Sequence, residues 1–166
     1  MAEKKKNLSA HDSFKLSNPD NIRIGILVSE WNSAITDNLK KGAVDALKEH
    51  GIPSQNIIIH SVPGSFELPT GAVMMLEGDE NLDAVICLGC VIQGETRHFE
   101  FISQAVANGI MQVGIDYNTP VIFGVLTCDT MEQAEERAEG KHGNKGVEAA
   151  VSCLKMLLLE RKIHQR

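Results

Sequence analysis

The stretch VIQGETRHFEFI, Val91 to Ile102, sets a glycine, a glutamate, a threonine, an arginine and a histidine side by side from Gly94 to His98. These residue types suit two kinds of chemistry. A glycine lets the backbone turn or approach a ligand closely. The amphipathic run that follows predicts a helix, and the free N–H groups of a helix N-terminus favour an anion such as phosphate. The Thr96 hydroxyl can donate to that anion, or it can simply cap the helix. Imidazoles give and take protons near neutral pH, so His98 is the candidate acid and base. A lone histidine at a helix start is more often structural or merely exposed. Its company here, a possible phosphate cradle just upstream, favours chemistry.

Further candidates lie elsewhere. Trp31 is the single tryptophan and follows an apolar run. It can stack on a flat heterocycle or fill the core. In VPGSFE, Pro63 and Gly64 force a turn and present Ser65, Phe66 and Glu67. Serine and glutamate suit polyhydroxyl groups, although Glu67 can equally cap the next helix. Arg137 lies in the charged run EQAEERAEGK, where a solvated helix arginine is the plain reading. GKHGNKG lacks the Ser or Thr that a phosphate-binding P-loop needs after its lysine, and no G-x-G-x-x-G, nucleophile elbow or H-E-x-x-H occurs. The six histidines are scattered. Neither a nucleotide cofactor nor a metal is expected.

The four cysteines include a C-x-x-C at Cys87 and Cys90. If a strand runs through both, their side chains point to opposite faces, about 10 Å apart along the axis, too far for a disulfide. They read as small buried apolar residues in a reducing cytoplasm.

The elements that position these groups follow from the hydrophobic pattern. Strands are expected over Ile22–Val28, Asn56–Ser61, Ala84–Gly89 and Val121–Thr127. Helices are expected over about 34–50, 68–77 and 99–117, then from Met131, and finally from beyond GKHGNKG to about Arg161. The first should bury Ile35, Leu39, Ala43, Ala46 and Leu47, and the third Ile102, Ala105, Val106, Ile110 and Val113. Asp129 or Thr130 can cap the fourth. The order βαβαβαβαα, with near-continuous apolar strands, predicts an α/β fold: a three-layer αβα arrangement around a four-stranded parallel, doubly wound sheet covered on both faces. Ligands bind such sheets beyond the carboxyl ends of the strands. The loops SEWN, VPGSFE, CVIQGETRH and TCDT, with every candidate but Arg137 in or near them, lie at that edge.

The chain of 166 residues suits one core, with 1–20 as an arm or disordered tail and 21–166 as a single domain. Lys4–Lys6 reads as part of a solvated tail. No signal peptide or membrane-length apolar run is expected. A formal net charge of −6 argues against nucleic acid as a partner.

VPGSFELP, LGCVIQGETRHFEFI, PVIFGVLT with EQAEERA, and GNKG, in this order and spacing, resemble the lumazine synthases of riboflavin biosynthesis. The resemblance covers about Ile22 to Leu159. It implies a flavodoxin-like fold and a cytoplasmic transferase that needs no cofactor. That enzyme condenses 5-amino-6-(D-ribitylamino)uracil with 3,4-dihydroxy-2-butanone 4-phosphate, giving 6,7-dimethyl-8-ribityllumazine, phosphate and water. An imine forms between the two substrates, phosphate is eliminated, and the ring closes.

Residue by residue, it implies that Trp31 stacks on the pyrimidine, where many relatives have phenylalanine, with Asn32 beside it. Ser65, Phe66 and Glu67 hold the ribityl chain and ring. Cys90, Val91 and Ile92 face the uracil, largely through backbone groups. Glu95 and Thr96 lie at the phosphate, with the Glu95 carboxylate turned away, and Arg137 pairs with it. His98 moves the protons. Phe123 closes the pocket from a neighbouring subunit, and Lys145 lies at its edge. Threonine is frequent among relatives where this chain has Cys90, and position 95 varies. The resemblance also implies a homo-oligomer: a pentamer, with twelve pentamers forming an icosahedral shell because the 137–145 segment lacks an insertion. Riboflavin synthase is an implied partner. The alternative is a non-catalytic flavodoxin-like module that binds flavin or lumazine. An acidic pair after the first strand or a Ser/Thr-rich phosphate loop would favour an electron carrier or receiver, and SEWN supplies neither.

Overall fold

The computed structural model describes residues 7, 9–10, 14–78 and 81–164. The lysine run Lys4–Lys6 lies outside them. Strand β1 spans Ile24–Ser29, β2 Ile57–Val62, β3 Ala84–Ile92 and β4 Val121–Cys128. Helices are α1 (Ser33–Glu49), α2 (Leu68–Gly78), α3 (His98–Asp116), α4 (Met131–Ala138) and α5 (Lys145–His164). All three strand pairings are parallel, in the order β2-β1-β3-β4. The chain therefore reverses its direction of winding between β1 and β3, which is the switch point of a doubly wound sheet.

The sheet separates two apolar clusters. Alternation along the strands sends Ile24, Ile26, Ile86 and Leu88 towards α1, α4 and α5, and Leu27, Val85 and Cys87 towards α2 and α3. Cys87 and Cys90 fall in different clusters, on opposite faces as the pleat requires. Burial pushes both thiols up to about 12, with Cys128 adding to the effect on Cys90. Neither is a nucleophile at neutral pH.

On α1 all five expected residues are buried, whereas on α3 the buried set is Val106, Ile110 and Val113. Ala105 is exposed and Ile102 half-buried. Thr130, not Asp129, caps α4, its hydroxyl accepting from Gln133 N at 3.3 Å.

Two expectations about strands are corrected. Full coverage of all four fails at β2, where Ile59, His60 and Ser61 are exposed. Strand β2 lies at the sheet edge, and its apolar run is only partly roofed. The loop expected from Cys90 begins only at Gln93. Pairing with β4 continues through Ile92↔Cys128, and Gln93 N donates to Cys128 O at 2.9 Å. Cys90, Val91 and Ile92 are therefore strand residues.

Among the described residues before β1, some pack on the domain. Phe14 and Leu16 pack against the α1–α5 cluster, and the Phe14 ring lies 4.6 Å from that of His50.

Candidate functional site

The carboxyl edge of the sheet assembles from β1 outwards. Glu30 N donates to Val62 O at 2.9 Å and Trp31 N to Pro63 O at 3.3 Å, so the loops after β1 and β2 run side by side. Asn32 takes a left-handed backbone, φ 59° and ψ 46°, a region that asparagine tolerates. Its side chain does not cap α1. Nδ2 instead donates 3.0 Å to Cys90 O, bridging the crevice between β1 and β3. Trp31 is 73% exposed, which removes the core reading for it. It borders a depression of about 490 Å³ with Glu30, Asn32 and Pro63.

Ser65 is buried, and its Oγ has no hydrogen-bond partner. A Cβ on Gly89 would lie 2.5 Å from that oxygen, so the hydroxyl faces β3 rather than open solvent. Phe66 and Glu67 are exposed. Glu67 ends a short 3-10 turn, Ser65–Glu67, that leads directly into α2. At Cys90 the side chain is buried and the carbonyl engaged by Asn32, so this residue presents little to a ligand. Val91 and Ile92 are half-buried.

Beyond β3 the chain opens to solvent. Gly94, Glu95, Thr96, Arg97 and His98 are all exposed. Gln93 shapes this loop, its Nε2 donating to Gly94 O at 2.7 Å, and sequence reasoning did not single it out. Thr96 Oγ1 receives only a long contact from His98 N, 3.4 Å, and no side chain caps α3. The helix N-terminus thus faces solvent with weakly engaged N–H groups, the condition an anion site requires. The imidazole of His98 stands on its first turn. Arg97 turns outward along α3, 3.2 Å from Glu100 and 5.6 Å over the Phe101 ring.

Arg137 is half-buried near the end of α4, with Nη1 donating 2.8 Å to Gln133 O. Its charge offsets part of the upward push that burial gives the Cys128 thiol at the end of β4. Lys145 opens α5, and its Nζ lies 2.9 Å from Glu148. Phe123 stands apart. It sits mid-strand opposite Cys87 and lines a separate apolar groove of about 650 Å³ between α3, β4 and α5. Among the described residues no cluster of three or more His, Cys, Asp or Glu could hold a metal, and no helix is long and apolar enough to cross a membrane.

A further residue passed over in the sequence is Asn144, which joins three helices. The available signal was an asparagine immediately before a helix, a frequent N-cap.

Comparison with known proteins agrees with this geometry. The family model for 6,7-dimethyl-8-ribityllumazine synthase matches residues 21–161. A protein of that name from Porphyromonas gingivalis is 54% identical over 161 residues, 97% of this chain and 99% of its own length. One from Cytophaga hutchinsonii is 57% identical over 157 residues, 95% of this chain and 98% of its own. With a match across nearly the whole chain, on a parallel sheet that carries its open, polar loops at the carboxyl edge, the chain belongs to the 6,7-dimethyl-8-ribityllumazine synthase family.

Proposed function

We propose that this chain is a transferase that makes 6,7-dimethyl-8-ribityllumazine, condensing 5-amino-6-(D-ribitylamino)uracil with 3,4-dihydroxy-2-butanone 4-phosphate. The observation that carries the reading is the open edge of the sheet. An exposed indole flanks the switch point, and beyond it an uncapped helix N-terminus carries an exposed imidazole. That arrangement suits a planar heterocycle beside a phosphorylated partner.

The roles follow from the chemistry of each group. Trp31 stacks on the pyrimidine, with Asn32 beside it. Phe66 and Glu67 take the ribityl side, and Ser65, whose hydroxyl is turned inward, contributes through its backbone. The backbones of Val91 and Ile92 face the uracil. That of Cys90 does so less, since Asn32 already engages its carbonyl. Thr96 and the N–H groups of α3 receive the phosphate, with Arg137 as its cationic partner and Lys145 at the rim. Glu95, exposed on the loop, keeps its carboxylate away. The amine attacks the ketone to form an imine between the substrates, phosphate departs, and the ring closes. His98 accepts and returns protons in each step. Holding two molecules together supplies much of the acceleration.

The wider setting belongs to the same proposal: residues 21–166 as one domain with an N-terminal arm, a cytoplasmic location, riboflavin synthase as consumer of the product, and a pentamer assembled into a shell. Two distinct apolar surfaces support a ring. The α3–α5 groove exposes Met111, Ile115, Leu159 and Ile163, and away from it Ile59 stands exposed on the edge strand β2. Different patches meeting head to tail close into cyclic assemblies. In such a ring Phe123, remote from the other candidates within its own chain, reaches a neighbour's site. Light scattering checks the assembly, and a pentamer mass alone would remove the shell. For the activity, incubation with both substrates should build up lumazine fluorescence, and either substrate alone should not. No fluorescence from correctly folded protein would overturn the reading.

A further inference from the structure

We propose that Asn144 is a positioning residue that sets the cationic end of the site. The inference rests on the reading that Arg137 and Lys145 serve the phosphorylated substrate. Asn144 lies between α4 and α5, and every hydrogen-bonding position of its carboxamide is engaged. Nδ2 donates 2.9 Å to Asn38 O on α1 and also to Ala138 O, the last residue of α4. Oδ1 accepts from Gly146 N at 2.7 Å and from Val147 N at 3.3 Å, capping α5. Its backbone N–H donates 2.9 Å to Ser9 Oγ of the N-terminal segment. An asparagine side chain has two donors and one oxygen with two acceptor positions, so none is left over.

The surroundings are shaped to it. A Cβ at Gly42 would overlap the carboxamide, and one at Gly146 would overlap Leu39 O of α1. The carbonyl it holds on α4 is one residue beyond Arg137, and the residue after it is Lys145. One side chain therefore fixes the backbone beside both cations, although it lies outside the set of groups proposed to touch substrate.

The test is Asn144→Asp. The carboxylate still accepts from the α5 N–H groups, but it turns an oxygen towards the two carbonyls and releases α4 from α1. KM for the butanone phosphate should rise about tenfold, because a small displacement of a binding group is costly. KM for the pyrimidine should stay within about twofold. Asn144→Ser, which keeps an acceptor for α5 and adds no charge, should move the same constant in the same direction and serves if the aspartate does not fold. Leu47→Ala, in the same core but at the far end of α1, should lower the melting temperature and leave both constants unchanged. A merely structural role would make the Asn144 variants behave like Leu47→Ala, which would overturn the inference, as would an equal rise in both constants. Arg137→Ala separates the inference from its premise. If it weakens the phosphorylated substrate and the Asn144 variants do not, the site reading stands and the inference falls. If it does not, both fall.

Discussion

Two polar, glycine-containing segments look alike in the sequence and are opposites in the structure. In Gln93–His98 the residues from Gly94 to His98 are exposed, a Cβ on Gly94 would meet nothing within 4 Å, and the adjoining helix start has no cap. In Gly140–Gly146 an asparagine has every side-chain position engaged, and Gly146 is buried where only a hydrogen fits against Leu39 O. A segment whose polar side chains are exposed and bond only to close neighbours in the chain can offer them to a ligand. One whose groups are all engaged holds helices together. The first has the character of a site and the second of a joint, and the difference can be measured.

The largest effect should be at the joint. Gly146→Ala forces a methyl group into a backbone carbonyl and must push α5 off α1, a cost of about 3 kcal/mol, at the upper end for overpacking. Urea denaturation of the purified variant reads it. A loss below about 1 kcal/mol would mean that the two helices separate with little resistance, and the contrast would fail.

At the open loop the effect should fall on rate instead. His98→Ala should lower turnover by about 100-fold, within the range general acid–base groups supply, while stability stays within about 0.5 kcal/mol of the parent. A residual rate should persist because positioning survives. Turnover equal to the parent at every pH would remove His98 from the chemistry.

Much of this fold is legible in the sequence, because parallel strands buried between helices must be short apolar runs, and crossovers must be helical. The apolar residues of the α1 face emerged for the same reason, but buried Thr36, whose hydroxyl donates to Ser29 O, did not. What the sequence conceals depends on distant partners. Strand β3 runs past Gly89 only because β4 offers matching hydrogen bonds as far as Cys128. That β2 is half open follows from its edge position, which no local pattern encodes. Asn144 reads as part of a loop, yet one of its partners is Asn38, 106 residues earlier. Trp31 as a residue type suits the core as well as a ligand face, and its exposure is visible only once the loop is folded, with Trp31 N bonded to Pro63 O. Candidate site residues were legible as residue types at strand ends. Their orientation was not, as the inward hydroxyl of Ser65 illustrates.

Gly94 lies in the open loop. Its φ is not positive and its surroundings are empty, so the fold does not require glycine there. Gly94→Ala should leave stability unchanged or raise it by about 0.5 kcal/mol through the unfolded chain. If the absent side chain serves close approach of a phosphorylated ligand, KM for the butanone phosphate should still rise several-fold. Unchanged kinetics would show that this glycine has no part in binding.

The smallest effect belongs to the rim of the joint. Glu136 contacts Lys141 and lies 3.6 Å from His142 Nε2. The hydrogen bond from the Lys141 ammonium, against a smaller opposing effect of burial and with help from the Lys141, His142 and Arg137 charges, holds the carboxyl below its ordinary range. A carboxyl depressed by folding stabilises the protein at pH values above its unfolded pKa, and that contribution disappears as pH falls through the folded one. Glu136→Gln should therefore lower the urea midpoint slightly at neutral pH, with the difference from the parent closing in acid. Salt should narrow it too, since the Lys141 side of the pair is solvent-exposed and screened. A difference that persists in acid and in salt would mean that the glutamate acts by packing. One as large as that of Gly146→Ala would place the strength of the joint at its surface, not in the contact between α1 and α5.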